Sequence, residues 1–357
     1  MDTLDAMDAL DAMDAAGNTI RSGTDGSMAF IDDSLAKEAA NIEFIRPVGK
    51  REILCAVHDI DGTHSLIRDW PPVMSLSIHW AMTCGLSEDF DSEENLRMLI
   101  GRVGAQPLPE TDQFCVESAG LSALTQMEYG IRRAVELGNV PGDAGLRLAP
   151  EEKQNNSLIV KRIWNGEERF DDIHEPPALK AFIEQRIPRL FRLYERILNG
   201  ACRDRNTADA WKQPEKWRVP GAMDFMEHLH EIGCVNYFVT GAVVYEDGGM
   251  FEEVRAVGFE VGPGKAVEGL RGSSWDRKMP KDEVMRDLVD ELGLEAAKVL
   301  VLGDGRSEIK AGVDLGCVTI SRLPLNARRQ RELHVDLGTN YIVPDFTDPA
   351  LKRMFHQ

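Results

Sequence analysis

The sequence predicts an α/β protein: a Rossmann-like parallel sheet core carrying a large inserted α-helical module. Three observations lead there. The apolar run Ile53-Leu54-Cys55-Ala56-Val57 reads as a strand buried on both faces, and it ends in the acidic stretch Asp59-Ile60-Asp61-Gly62-Thr63. From Gly221 onward helical and strand patterns alternate, which implies parallel strands with helices on both faces. Between residues 64 and 220 helical patterns dominate and strand signals are few, so this stretch reads as a separate module inserted in the sheet domain.

Taken in order, residues 1–16 repeat a six-residue unit (Met1-Asp2-Thr3-Leu4-Asp5-Ala6, then Met7-Asp8-Ala9-Leu10-Asp11-Ala12, then Met13-Asp14-Ala15-Ala16) before a Gly/Ser/Thr-rich stretch. A period of six fits neither helix nor strand, so residues 1–33 are expected to be a disordered acidic tail, with a partner-binding helix as the sharper alternative. In the insert, Val116, Leu124, Met127, Ile131 and Ala134 recur at helical spacing, as do Leu179, Phe182, Ile183, Leu190, Tyr194 and Ile197, with Pro188 expected to bend the second helix. Residues 139–175, rich in Gly, Pro, Asn and charge, read as a long irregular connection. Met223, Phe225, Met226 and Leu229 mark a short helix closed by Gly233, and Val235–Val239 a strand running into Thr240-Gly241. A helix over 281–292 follows, then a strand over 299–302, a helix over 307–315, a strand over 318–320, a helix over 326–333 and a strand over 341–343. The expected domains are therefore the tail (1–33), an α/β core (34–63 and 219–357) and a helical insertion (64–218).

With 43% apolar residues in a chain of 357, a sizeable core and two domains are expected. The net charge is −19, of which residues 1–33 carry −7, and no basic tract reverses it. Such a surface disfavours nucleic-acid backbones and anionic membranes and suits a bound cation. Six scattered cysteines without a C-x-x-C pair read as reduced thiols, hence a cytoplasmic protein, and no basic-then-apolar leader or long apolar span argues for secretion or membrane insertion.

The chemistry begins at Asp59 and Asp61. Two carboxylates two residues apart at the end of a strand can divide a phosphoryl transfer: one attacks phosphorus to form an acyl phosphate, and the other, protonated, gives its proton to the departing alkoxide and then takes one from water. Their ordinary pKa of about 3.9 must then be pushed apart. Gly62 permits a tight turn, and the Thr63 hydroxyl can support it. Thr240 and Gly241, after the second strand, offer a hydroxyl and a backbone N–H for phosphate oxygens. Lys281, opening a helix after Met279-Pro280, can neutralise a transferring phosphoryl group, with Lys278 as its rival. In Leu302-Gly303-Asp304-Gly305-Arg306-Ser307-Glu308, Asp304 and Glu308 suit a hard divalent cation.

On these motifs, in this order and in these strand contexts, the chain resembles the haloacid dehalogenase-like (HAD) hydrolase superfamily over residues 52–63 and 220 to about 345. Asp61–Arg68, Gly303–Ile309 and Ile342-Val343-Pro344-Asp345-Phe346 resemble its phosphoglycolate-phosphatase-like or β-phosphoglucomutase-like branch, which carries a helical cap. The resemblance implies Asp59 as nucleophile and Mg²⁺ ligand, and Asp61 as general acid/base with a backbone carbonyl on the metal. It also implies Thr240 and Gly241 as phosphate binders, Lys281 as the charge-neutralising lysine, and Asp304 and Glu308 as metal carboxylates. Residues 64–218 would then be a cap that closes over the site. The sequence departs from that pattern at His58 and His64, where apolar residues are usual, and in the size of the insert. Arg68, Trp70 and Arg306 are further candidates for substrate contact.

The leading expectation is a Mg²⁺-dependent phosphatase that hydrolyses a small phosphomonoester, a sugar or organic-acid phosphate, through phospho-Asp59. A small phosphorylated metabolite is its expected partner, with no nucleic acid and no membrane. A sugar phosphomutase of the β-phosphoglucomutase type shares both aspartates and is the nearest alternative. A dehalogenase needs neither Asp61 nor Mg²⁺, and imine-forming phosphonate cleavage would need a cap lysine such as Lys161 or Lys180 in a supporting motif. A non-catalytic scaffold that keeps the fold is the alternative from another class.

Overall fold

The computed structural model describes residues 12–13, 19–20, 28–36, 38–67, 70–118, 120–142, 146–245, 248–274 and 279–357. Its strands are β1 (Ala12–Met13), β2 (Thr19–Ile20), β3 (Phe30–Asp32), β4 (Glu43–Phe44), β5 (Lys50–Glu52), β6 (Cys55–His58), β7 (Val235–Val243), β8 (Gly269–Ser273), β9 (Val299–Gly303), β10 (Val318–Arg322), β11 (Tyr341–Val343) and β12 (Phe355–His356). The helices between β6 and β7 are α1 (Trp70–Thr83), α2 (Glu93–Ile100), α3 (Pro109–Glu117), α4 (Ala123–Leu137), α5 (Pro150–Trp164), α6 (Pro177–Leu198), α7 (Asp204–Ala210), α8 (Pro214–Trp217) and α9 (Ala222–Glu231). After β7 come α10 (Met250–Ala256), α11 (Lys281–Glu291), α12 (Arg306–Leu315), α13 (Arg328–Leu337) and α14 (Pro349–Met354).

Seven strands form one sheet in the order β4-β11-β10-β9-β6-β7-β8, parallel except for β4 at one edge. This is the Rossmann-like core that the alternating pattern predicts. The chain leaves central β6 for β7 and β8 on one side, then returns to build β9, β10 and β11 on the other. The crossovers therefore diverge between β6 and β9, and a crevice opens at their carboxyl ends. Side chains alternate across the strands: Ala56, Phe238, Leu300 and Ile320 meet Phe225, Met226 and Val254 on one face, while Val57, Val239, Val299 and Val301 meet Val284, Leu288 and Ala311 on the other.

Among the described residues, 70–217 contribute eight α-helices and no strand of this sheet. They bury a core of their own, in which α4 packs against α1, α5 and α6 through Ile78, Met127, Ile131, Ile159, Ile163 and Leu190. The face read along α6 is buried as expected, and the helix runs through Pro188.

Several expectations change. Residues 139–175 contain α5 where an irregular connection was expected. Pro150 opens that helix, Glu151 and Glu152 occupy its first turn and Lys161 and Arg162 its last, so its ends match the helix dipole. Its polar composition hides a narrow stripe, Asn156, Ile159, Val160 and Ile163, which is what it buries. Val116 belongs to α3 rather than to the helix of Leu124 and Met127, and is 72% exposed. The tail boundary at residue 33 is too late: β3 pairs with β5 and β12 in a three-stranded antiparallel sheet, and Ile31 is fully buried. Within the expected tail, β1 pairs antiparallel with β2, and residues 1–11, 14–18 and 21–27 lie outside the described residues. The strand read over 235–239 continues to Val243, and its register against β8 is irregular between Val239 and Val243. Among the described residues no helix is long and apolar enough to cross a membrane.

Because Ile163 is fully buried in the helical core, Ile163→Ala should destabilise that module by about 2–5 kcal/mol. A lowered urea midpoint for loss of helical signal checks this. A midpoint equal to wild type would show that α5 does not carry its share of that core.

Candidate active site

The site grows from the end of β6. The Asp59 N–H bonds the Leu302 carbonyl of β9 at 2.8 Å, which fixes the first residue beyond the strand. The next residues fold back at once. The N–H groups of Thr63, His64 and Ser65 all point at the Ile60 carbonyl, the Gly62 N–H donates to Ser65 O at 2.7 Å, and Gly62 takes φ +79°, which favours glycine. Thr63, fully buried, donates its hydroxyl to Asp59 Oδ2 at 3.3 Å. Arg322, at the end of β10, clamps the turn from below with Nη1 on the Gly62 carbonyl at 2.8 Å and Nε on the Pro344 carbonyl at 2.9 Å.

Lys281 is the first residue of α11 and is 5% exposed. Its ammonium donates to Asp59 Oδ1 at 2.5 Å and to Glu308 Oε2 at 3.2 Å. Carboxylate oxygens of Asp59, Asp304 and Glu308 lie within 4.8 Å of one another. Glu308 reaches this cluster by folding back over the start of α12, where its other oxygen accepts the Gly305 N–H. Glycine is needed on both sides of Asp304, since a Cβ at residue 303 would lie 2.1 Å from the Glu308 side chain and one at residue 305 would lie 2.7 Å from its carboxylate. Lys278, the rival lysine, and Arg68 lie outside the described residues.

Two buried carboxylates, Asp59 and Glu308, pair with one ammonium, with the half-buried Asp304 beside them, and the charges shift accordingly. Burial pushes the Asp59 carboxyl well above its ordinary range against the pull of Lys281, with Glu308 and Asp304 adding to the rise. Burial works against the Lys281 ammonium too, but Asp59 and Glu308 outweigh it and hold the group charged. Burial likewise opposes the Glu308 carboxylate, and Lys281 with the Gly305 N–H outweighs it and lowers its pKa. The excess negative charge in a dry pocket, presented by hard oxygen donors, fits a divalent cation such as Mg²⁺.

Thr240 is 4% exposed and sits in the irregular stretch of β7, where its Oγ1 accepts the Ala242 N–H at 3.2 Å. Bulges of this kind re-aim side chains beside a site. A Cβ on Gly241 would lie 2.9 Å from the Leu121 carbonyl of the helical module, so the small residue lets that module approach. Asp59, Asp61, Thr240, Gly241, Lys281, Asp304 and Glu308 all line one cavity of about 350 Å³, roofed by Trp70, Phe191, Tyr194 and Arg203. Arg306 is exposed, and its guanidinium sits beside Gly166.

Asp61 is half-buried and its side chain hydrogen-bonds Glu253 of α10. Glu253 is 3% exposed, accepts the Ser65 hydroxyl at 2.9 Å, and is raised above the ordinary range by burial against the pull of Arg203. The sequence reading missed Glu253, Arg203, Arg322 and Ser307. Ser307 alone stands within a recognised motif; the others have no local signal.

The two histidines form a chain behind Asp59. Asn236 spends its amide hydrogens on the Met226 and Ala266 carbonyls, so its oxygen accepts from His58 Nε2 at 3.1 Å. Neutral His58 then accepts at Nδ1 from His64 Nε2, 2.9 Å away, which leaves His64 Nδ1 bare and without a partner. The His64 ring stacks on Phe346 and is fully buried, and it is not among the residues that line the cavity. Burial pushes the His58 imidazole down to about 4, and burial, His58 and Arg322 hold His64 well below its usual range.

No family model matches the chain and no curated protein matches it. Among solved structures it is similar to a β-phosphoglucomutase from Clostridium difficile at 11% identity, covering 82% of this chain and 92% of that one with a TM-score of 0.42. It is similar to a phosphonoacetaldehyde hydrolase like protein from Oleispira antarctica at 14% identity, covering 88% and 96%, TM-score 0.40. A HAD family hydrolase from Deinococcus radiodurans, with bound phosphate and sodium, matches at 12% identity over 82% and 90%, TM-score 0.34.

Unfolding exposes both histidines near their ordinary pKa of about 6.5, so below that pH the unfolded chain binds protons that the folded chain refuses. Stability should therefore fall as pH drops from about 6.5 toward 4. His64→Phe keeps the ring stack, moves the one unpaired acceptor to His58, and should make that fall shallower. Urea midpoints between pH 4.5 and 7.5 check this; an unchanged slope in the variant would refute the neutral pair.

Proposed function

We propose that the protein is a Mg²⁺-dependent phosphatase of the haloacid dehalogenase-like kind that hydrolyses a small phosphomonoester through a phospho-Asp59 intermediate. One observation carries the reading: Asp59, its ion-pair partner Lys281, the acids Asp304 and Glu308, and Asp61 all line a single cavity. Asp59, Asp304 and Glu308, with the Asp61 carbonyl, would hold the cation. When bound, it supplies positive charge to the phosphoryl oxygens and draws Asp59 into its ionised form.

Asp59 attacks phosphorus with one carboxylate oxygen while the bond from phosphorus to the ester oxygen breaks. The departing alkoxide takes the proton of Asp61, and the alcohol leaves. Asp61, now a base, removes a proton from water; the resulting hydroxide displaces Asp59 from phosphorus and releases phosphate. Lys281 neutralises the phosphoryl group throughout and keeps Asp59 in one rotamer. Thr240 and the Gly241 N–H hold the remaining phosphate oxygens. The helical module, residues 64–218, acts as a cap that excludes water during the first transfer.

Phosphate release from an aryl phosphate measures this directly. Release should require Mg²⁺ and fall by about 10³-fold or more in Asp59→Asn, while Glu308→Gln should raise the Mg²⁺ concentration needed for half-maximal rate. Metal-independent release, or release that survives Asp59→Asn, would refute the proposal. Isomerised sugar phosphate without free phosphate would instead identify a phosphomutase.

A further inference from the structure

We infer, resting on the phosphatase reading, that the ester this cavity accepts is that of an uncharged alcohol, so organic-acid phosphates fall outside its substrate class. The phosphate end of the cavity is set by Lys281 and the acids around it, and the alcohol must occupy the space under the helical roof. That roof is mostly apolar, with Trp70, Met74, Phe191 and Leu198 forming its walls. A charge placed against such walls loses its hydration without a partner.

Among the described lining residues, Arg203 is the one cation other than Lys281, and it is the natural suspect for holding a second anionic group. It is already committed. Arg203 ends a π-helical turn, Asn199–Arg203, and its Nη1 lies 3.5 Å from Glu195 Oε1 and 3.4 Å from Asn199 Oδ1. Glu253 and Asp61 also face it across the cavity wall. Glu195 thus already faces the guanidinium, and Glu253, buried in the same cavity wall, adds negative charge near it. A carboxylate or second phosphate on the substrate would have to displace Glu195 or Glu253 and leave it buried without a countercharge. An uncharged alcohol displaces neither, and the buried Tyr194 hydroxyl remains available to its polar atoms.

The test compares two esters of one shape, 4-carbamoylbenzyl phosphate and 4-carboxybenzyl phosphate, on the full-length protein with Mg²⁺. Their methylene insulates the leaving oxygen, so the esters differ at the far end in charge. The carbamoyl ester should show kcat/KM at least about tenfold higher, as expected for like charges brought together in an interface. Glu195→Gln, which relieves one of the two claims on Arg203, should narrow that ratio by improving the carboxylated ester. Equal or better turnover of the carboxylated ester by wild type, still abolished in Asp59→Asn, would overturn the inference and leave the phosphatase reading standing. Asp59-independent release, or none from either ester, would overturn both. The wild-type comparison decides the matter even where Glu195→Gln does not fold.

Discussion

The ion pair between Lys281 and Asp59 is the constraint around which the site is built. An ammonium in a dry pocket is costly unless carboxylates face it, and carboxylates there are costly unless a cation faces them. Lys281 meets both demands, yet it stands against Asp59 and Glu308 at once with Asp304 beside them. The resulting excess of negative charge cannot be relieved by rearranging the protein's own groups, because α11 offers one lysine there and the strand ends fix the acids. Burial raises the Asp59 pKa against the pull of Lys281, and Glu308 and Asp304 add to the rise. A divalent cation held by these acids would offset that charge and favour the ionised form of Asp59.

Backbone geometry serves that cluster. Asp59 is anchored by a strand hydrogen bond, its turn is gathered on a single carbonyl, and Arg322 holds the far side of the turn. Glycines on either side of Asp304 leave room for Glu308 to fold back, so a carboxylate one helical turn away in sequence arrives beside Asp59 in space. The histidine chain is a different kind of support. Its two imidazoles are fully buried and held toward the neutral form by burial, with His64 stacked on Phe346, so they fill the volume behind Asp59 without adding charge there.

What the sequence makes legible follows from where information is local. Strands buried on both faces are apolar runs, and the parallel sheet places their ends together, so Asp59, Thr240, Lys281 and Asp304 could be read as one constellation before any coordinates. Glu253 and Arg203 could not, because each lies on an element whose sequence carries no motif and reaches the site only through the packing of α10 and of the turn after α6. Helix α5 escaped notice because its buried stripe is four residues wide in an otherwise polar segment. Strand β3 escaped because three residues are too few for a period-2 pattern, and its partners β5 and β12 lie far apart in the chain.

The contact between the helical module and the sheet depends on groups that also serve the acidic cluster. Ser307 has one hydroxyl proton and two acceptors, the Gly120 carbonyl of the helical module at 2.6 Å and Glu308 Oε2 at 2.9 Å. It can donate to one at a time. A cation held by Glu308 would compete with Ser307 for that carboxylate and favour the hydrogen bond to the Gly120 carbonyl; at Gly120 φ is +94° and a side chain would collide with Ser307 itself. On the other rim, Gly241 meets the Leu121 carbonyl from the same loop. The loop at 120–122 thus meets the motif residues on both sides, at Ser307 and at Gly241. The contact between the helical module and the sheet and the hydrogen bonding of the acid cluster therefore share the Ser307 hydroxyl.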